Sequence, residues 1–121
     1  MDINNNLIYE KVIPNNIKVN KAKVQITYNP GFSVTECSVG KLPFWGEIII
    51  KYVPDKLLLD FECFDEWSKI ELGKKSLIIE EVASKTFNVL QEILKPKYLL
   101  VEVTADTTVH YPATIRIESN E

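Results

Sequence analysis

The segment from Leu77 to Lys95 restricts the possible folds of this chain more than any other feature. Its apolar residues recur with the spacing of one helical face, and the Lys95-Pro96 pair ends the pattern. Ser76 is predicted to be the N-cap of this helix, without a capping box because Ile79 stands three residues later. The apolar face comprises Ile79, Val82, Ala83, Phe87, Leu90, Ile93 and Leu94. Such a stripe must be covered by another layer of secondary structure.

Strand patterns flank this helix on both sides. Residues 21–28 alternate apolar and polar side chains up to the turn residues Asn29-Pro30-Gly31, and a loop is predicted from there to Pro43. The further strands are predicted at 46–53, at 98–103 and at 114–118, the last beginning near Val109. Residues 56–72 change from a strand pattern to a helical one, and Gly73 is a predicted helix stop.

The predicted order of elements is therefore β-β-α-α-β-β. It indicates an α+β fold, an antiparallel four-stranded sheet with two helices on one face. We expect residues 1–18 to be an N-terminal extension and residues 19–121 to be a single domain. The sheet has two open edges, which usually must be paired or covered, so a homo-oligomer is predicted.

Composition excludes several classes of function. The net charge of −3 gives no general attraction to phosphate backbones or anionic lipid. No apolar run approaches the roughly 20 residues of a membrane span, and the N-terminus lacks the order of a secretion signal. Two cysteines without such a signal do not indicate disulfides, so a cytoplasmic protein is predicted. Two cysteines and one histidine also leave little for a zinc site.

Cys37 is the first candidate for chemistry. A lone cysteine is more often an inert small apolar residue than a nucleophile. Here it stands in the sequence TECSVGKLP, in a predicted loop, with Lys41 close enough in sequence to favour a thiolate. A thiolate in a loop on a rigid sheet is a plausible nucleophile. Cys63, between Phe61 and Phe64, is predicted to be a core residue.

Three further groups of polar residues have two possible roles each. Glu80 and Glu81 either complement the helix dipole or bind a guanine-like edge, for which a carboxylate supplies two acceptor oxygens in one plane. His110, by a turn, is more simply an ordinary exposed histidine than a catalytic one. The acidic run at 60–66 is typical of a solvated helix face.

Four motifs follow one another along the chain: C-x5-P followed by an aromatic residue, a strand ending in YVPD, a helix opening in IEE, and KPKYLLVEV. The order and spacing of these motifs resemble the QueF family of the tunnelling fold. The similarity extends from about Phe32 to Glu118. The family contains 7-cyano-7-deazaguanine reductases and the shorter QueF-like amidinotransferases of archaeosine synthesis. The resemblance implies a tunnelling fold with active sites between subunits.

The resemblance assigns roles to single residues. Cys37 matches the nucleophile that adds to the substrate nitrile as a thioimide, and Glu80 matches the glutamate that anchors the deazaguanine base. Glu81 beside it is kept as a second candidate for substrate binding. Pro43 matches the proline six residues after the cysteine.

Three positions depart from the family pattern. Phe44 stands where the family has its proton-donating aspartate, and Ile79 stands where it has a histidine. The reductases also carry a lysine-containing cofactor motif after the second strand, where this chain has DFECFDEW. Carboxylates there would repel the phosphates of NADPH. Glu36, Glu47, His110 or a water would then have to transfer protons.

These departures favour the amidine-forming branch, which needs ammonia and no redox cofactor. Its substrate would be 7-cyano-7-deazaguanine, free or in a tRNA. Two alternatives stay open. The first is an NADPH-dependent reductase of queuosine metabolism, and the second is a non-catalytic module that binds the deazapurine.

Overall fold

The computed structural model describes residues 13–15, 22–73, 76–105 and 112–119. Its strands are β1 (Ile13–Pro14), β2 (Val24–Val34), β3 (Glu36–Cys37), β4 (Phe44–Val53), β5 (Leu57–Leu58), β6 (Ser76–Leu77), β7 (Tyr98–Ala105) and β8 (Ala113–Glu118). The helices are α1 (Phe61–Glu71) and α2 (Ile79–Leu94). The long elements follow the predicted order β-β-α-α-β-β, which confirms the α+β fold.

The four long strands form one antiparallel sheet in the order β2-β4-β7-β8. Its inner face is apolar because the register aligns residues of one parity, such as Ile48 with Val103 and Ile50 with Val101. Helix α1 packs against β2, and α2 packs against β7 and β8. Both helices therefore cover the same face, and the core lies between them and the sheet.

Strand β2 does not end at the predicted turn. The triplet Asn29-Pro30-Gly31 is absorbed in a bulge between Tyr28 and Phe32, and pairing with β4 resumes as far as Val34. A proline is tolerated there because β2 is an edge strand and a bulge already interrupts the ladder. A side chain at Gly31 would lie 2.7 Å from a carbon of Ile48, so the bulge also requires a glycine.

Helix α2 begins two residues later than predicted. Ser76 is not its N-cap, because Ser76 and Leu77 form β6, and Ile78 takes the cap position. The Glu81 carboxylate accepts a hydrogen bond from the Ile78 N–H at 3.0 Å, which satisfies one of the free donors of the first turn. At the other end Lys95 adopts a left-handed conformation with φ 44°, and Pro96 follows, as predicted.

Part of the predicted N-terminal extension contacts the body of the chain. Ile13 and Pro14 pair with β5, and the Asn15 side chain donates to the carbonyl of Asp55 at 3.0 Å. The remaining residues before 22 lie outside the described residues, so the boundary at residue 18 stays a prediction. Within the described ranges, neither helix has the length and apolar character needed to cross a bilayer.

Candidate active site

Strand β3 brings Cys37 next to the start of α2. The strand pairs in parallel with β6, aligning Glu36 with Ser76 and Cys37 with Leu77. The Ser38 N–H donates to the Leu77 carbonyl at 3.2 Å. Cys37 is thereby fixed beside the residue that stands three positions before Glu80. The structure thus brings the predicted nucleophile to the end of the helix that carries the predicted base anchor.

Residues 37–42 form a compact turn around the cysteine. The Cys37 N–H donates to the Leu42 carbonyl at 2.7 Å, and the Lys41 N–H donates to the Cys37 carbonyl at 2.9 Å. The Gly40 N–H lies 3.5 Å from the Cys37 Sγ, within hydrogen-bonding distance for sulfur. The Lys41 ammonium donates to the Ser38 carbonyl at 3.1 Å, and Lys41 has a left-handed φ of 62°. The turn therefore holds the backbone of Cys37 by hydrogen bonds and directs the Gly40 N–H at its sulfur.

The Cys37 side chain is buried, which the sequence did not indicate. It is 5 % exposed and belongs to the core cluster that also contains Phe44 and Leu77. The predicted loop placed it away from any apolar face. The difference arises because residues 36–37 form a short strand whose periodicity is too brief to be recognised in sequence. Cys63 is equally buried in α1, as predicted.

Glu80 and Glu81 have different surroundings although both are exposed in the first turn of α2. Glu81 caps the helix through Ile78, as described above. Among the described residues, the carboxylate of Glu80 has no hydrogen-bond or ion-pair partner. Its two oxygens are thus available to a ligand, while one oxygen of Glu81 already accepts an N–H.

Phe44, at the position of the missing aspartate, lies inside the core. It has no exposed surface and packs edge-on against Phe32, with ring centroids 5.7 Å apart. It begins β4 opposite Val34, on the face that the helices cover. A polar group at this position would be desolvated, so the core accounts for an apolar residue here.

The structure describes two of the three residues predicted to transfer protons and separates them. Glu36 precedes Cys37 in β3 and is partly exposed. Glu47 lies on the opposite face of the sheet from the core and accepts a hydrogen bond from the Asn29 side chain at 3.4 Å. His110 lies outside the described residues. Within one chain, Glu36 is therefore the acid that the fold keeps beside Cys37.

Helix α1 carries the acidic run, and most of these acids serve the helix. Asp60 is the N-cap and accepts from the Cys63 N–H at 3.1 Å, and Asp65 pairs with Lys69 at 3.1 Å. Burial, together with the negative charges of Asp65 and Asp60, raises the pKa of the Tyr28 hydroxyl well above its ordinary value. The segment thus has a negative local field.

Two of the surface cavities border the sheet, and the larger of these two lies far from this site. It has a volume of about 630 Å³ and is lined by the first residues of β2, the last of β4 and Tyr98. Cys37 follows the other end of β2. The smaller cavity, of about 230 Å³, lies between the β2 bulge and α1. No group of three or more metal-ligating side chains occurs among the described residues. Neither Cys37 nor Glu80 is among the residues that line these two cavities.

Known proteins were compared with the chain. No family model matches it. It is 29 % identical over 93 residues to the NADPH-dependent 7-cyano-7-deazaguanine reductase of Chlorobium phaeobacteroides (strain BS1), covering 70 % of this chain and 77 % of that protein. The predicted resemblance to the QueF family is confirmed.

A solved structure supports the fold of this chain. The apo form of an archaeosine synthase QueF-like superposes with a TM-score of 0.65, covering 81 % of this chain and 91 % of that one. The sequence identity of this pair is 17 %, so the match shows the QueF-like fold and no more. The sequence relative is named as a reductase and the structural relative as an archaeosine synthase, so the two names leave the reaction of this chain open.

Proposed function

We propose that this chain is a QueF-like enzyme of 7-deazaguanine metabolism. Its substrate is 7-cyano-7-deazaguanine, as the free base or in a tRNA. The observation that carries the proposal is the parallel pairing of β3 with β6, because it holds Cys37 beside the helix end that bears Glu80. The sequence relative, which is named for this nitrile, supports the substrate class.

Each residue of the site has one task in the proposed reaction. The Cys37 thiolate adds to the nitrile carbon, and the nitrile nitrogen takes up a proton, which gives a covalent thioimide. Ammonia then adds to the same carbon, and the thiolate leaves, so that an amidine is released and the thiol is restored. Glu80 accepts the N–H groups of the base and fixes its orientation. The two steps involve no change in oxidation state.

Proton transfer is the task with the least obvious candidate. Phe44 is buried and has no side-chain group that can donate or accept a proton. Glu47 lies on the other face of the sheet. We propose that Glu36, next to Cys37, or a water in contact with it transfers the proton to and from the nitrogen. His110 remains a second candidate. Active sites between subunits of a homo-oligomer would also allow Glu47 of another copy to contribute.

The first test is mass spectrometry of the protein mixed with the free nitrile base. We expect the protein mass to increase by the full mass of the base, since addition to a nitrile releases no leaving group. The adduct is expected to disappear in Cys37→Ala and to persist in Cys63→Ala, which removes an equally buried cysteine. Absence of an adduct in the unmodified chain, or an adduct that survives Cys37→Ala, contradicts the proposal.

Reduction is a second candidate because the sequence relative is named as an NADPH-dependent reductase. It starts from the same thioimide and requires two hydrides and protons to reach an amine. The carboxylates of α1 argue against it, since they repel the phosphates of NADPH. We expect no loss of NADPH absorbance when substrate is added, and amidine formation when ammonia is added. Substrate-dependent NADPH oxidation would establish the reductase instead.

A binding module without turnover is the third outcome, and the buried Phe44 is the observation that favours it. It would bind the base in a manner that depends on Glu80 and not on Cys37, and it would form no adduct. Calorimetric titration of the variants Glu80→Gln and Cys37→Ala with the base therefore separates binding alone from catalysis.

A further inference from the structure

The turn after Cys37 points a backbone donor at the sulfur. Gly40 N lies 3.5 Å from Cys37 Sγ, and the turn is closed by the Cys37–Leu42 and Lys41–Cys37 backbone hydrogen bonds. A backbone N–H that donates to sulfur interacts more strongly with a thiolate than with a thiol. The donor is fixed by the turn and needs no side chain.

The described charged groups of the turn and of the first turn of α2 are of both signs. The carboxylates of Glu36, Glu80 and Glu81 are negative, and the latter two offset the positive end of the α2 dipole. The Lys41 ammonium is the only cation of the turn, and it donates to the Ser38 carbonyl. Leu77 of β6 and Phe44 of β4 belong to the same apolar core cluster as Cys37.

We propose that the backbone N–H of Gly40 stabilises the Cys37 thiolate and thereby activates the nucleophile. The inference rests on the proposed function, in which this thiolate attacks the nitrile. The thiol loses its proton to water, the thiolate accepts the Gly40 N–H, and the addition to the nitrile carbon then follows as described above. Gly40 is a positioning residue that acts through its main chain.

The test is the pH dependence of Cys37 alkylation by iodoacetamide, followed by peptide mass spectrometry without any nitrile present. The midpoint of the rate profile reports ionisation of the thiol, and its plateau at high pH reports access to the buried sulfur. Gly40→Pro removes the N–H. We expect its midpoint to move upward by about one pH unit, which corresponds to a roughly tenfold lower rate near neutral pH.

Gly40→Ala is the matched control. It retains the N–H, and its added Cβ would lie 4.0 Å from the Cys37 Sγ, an ordinary contact distance. Gly40 does not adopt a positive φ, so neither substitution requires a forbidden sign of φ. We expect the alanine variant to keep the midpoint of the unmodified chain. Equal midpoints for the proline variant and the unmodified chain would overturn the inference.

A second measurement needs no change at Gly40, in case the proline variant does not fold. In the unmodified chain, the Gly40 amide proton resonance is expected to shift over the pH range in which Cys37 becomes reactive. The shift should vanish in Cys37→Ser. A Gly40 amide proton resonance that does not shift over the pH range in which Cys37 ionises would also overturn the inference. Because neither assay uses the nitrile, failure to form an adduct would contradict the proposed function while leaving this inference testable.

Discussion

Adjacent glutamates at the start of α2 show how a single position in the helix changes the role of a carboxylate. Glu81 stands at the third helical residue, where its side chain reaches back to the Ile78 N–H. Glu80 precedes it by one residue, which rotates its side chain by about 100° around the helix axis and away from the cap. The same residue type is therefore structural at one position and available for binding at the next.

The different roles of Glu80 and Glu81 predict different effects when each residue is substituted. Glu81→Ala is expected to lower the free energy of unfolding by about 1 kcal/mol, because an N-terminal N–H of α2 loses its acceptor. Glu80→Gln is expected to leave stability unchanged and to weaken binding of the nitrile base at least tenfold, because the amide offers one acceptor instead of two.

Urea denaturation and calorimetric titration of both variants test this pair. Each variant is the control for the other, since they are neighbours in one helical turn. A loss of base binding in Glu81→Ala with intact binding in Glu80→Gln would show that the anchor has been assigned to the wrong glutamate.

The residues of the site could be predicted from the sequence only in part. Cys37 and Glu80 were identified through spacing shared with a family, and Glu80 does stand with both oxygens available among the described residues. The contact of the Gly40 N–H with the Cys37 sulfur could not be predicted, because a main-chain N–H has no signature in the sequence. The burial of Cys37 was missed because pairing partners 40 positions apart, Cys37 and Leu77, decide it.

Strand β4 explains why position 44 carries no proton donor. The strand alternates between a core face and an open face along its ten residues, and Phe44 falls on the core face with Ile48, Ile50 and Tyr52. Position 44 is therefore constrained by packing on this element as well as by any role in chemistry.

Restoring the aspartate of the family is expected to unfold the chain rather than improve it. Phe44→Asp removes a fully buried ring and places a carboxylate in the core, with an expected loss of about 4 kcal/mol or more in the free energy of unfolding. Phe44→Leu, which keeps an apolar side chain, is expected to cost about 1–2 kcal/mol. Circular dichroism during urea denaturation measures both, and an aspartate variant as stable as the leucine variant would contradict the core placement.

At the level of elements, long periodic segments were predicted well and short ones were not. Helix α2 and strand β7 follow from continuous patterns of apolar residues. Strands β3 and β6 contain two residues each and have no period to detect. The extension of β2 past Asn29-Pro30-Gly31 was missed because turn residues were taken to end the strand, whereas an edge strand can accommodate them in a bulge.

The whole molecule presents a sheet whose two outer strands, β2 and β8, have unpaired edges among the described residues. Edge strands offer free N–H and C=O groups to another chain. One face of the sheet is also left uncovered by the helices. It carries Ile49 and Leu100 together with the Arg116–Glu102 ion pair, whose atoms are 2.7 Å apart. Both features favour self-association, which remains a prediction.

Sedimentation equilibrium tests this prediction. We expect an assembly larger than the 13.9 kDa chain. Thr27→Lys adds a charge to the exposed edge strand β2 and is expected to lower the assembled fraction at least severalfold. Ser84→Lys, which adds the same charge on the exposed side of α2, is the control and should leave the assembly intact. A monomer at all concentrations, or equal effects of both variants, would contradict assembly through this edge.

The parallel pairing of β3 with β6, called the joint below, involves far fewer residues than the ladder of the neighbouring sheet. Two residues on each side hold it together, whereas β2 and β4 share a long antiparallel ladder. Local opening is cheapest where the fewest contacts must be broken, so this joint can separate while the sheet remains folded. Amide hydrogen exchange at Ser38, whose N–H spans the joint, would then be governed by a sub-global opening. Opening of this joint would therefore expose the Cys37 sulfur to solvent without unfolding of the domain.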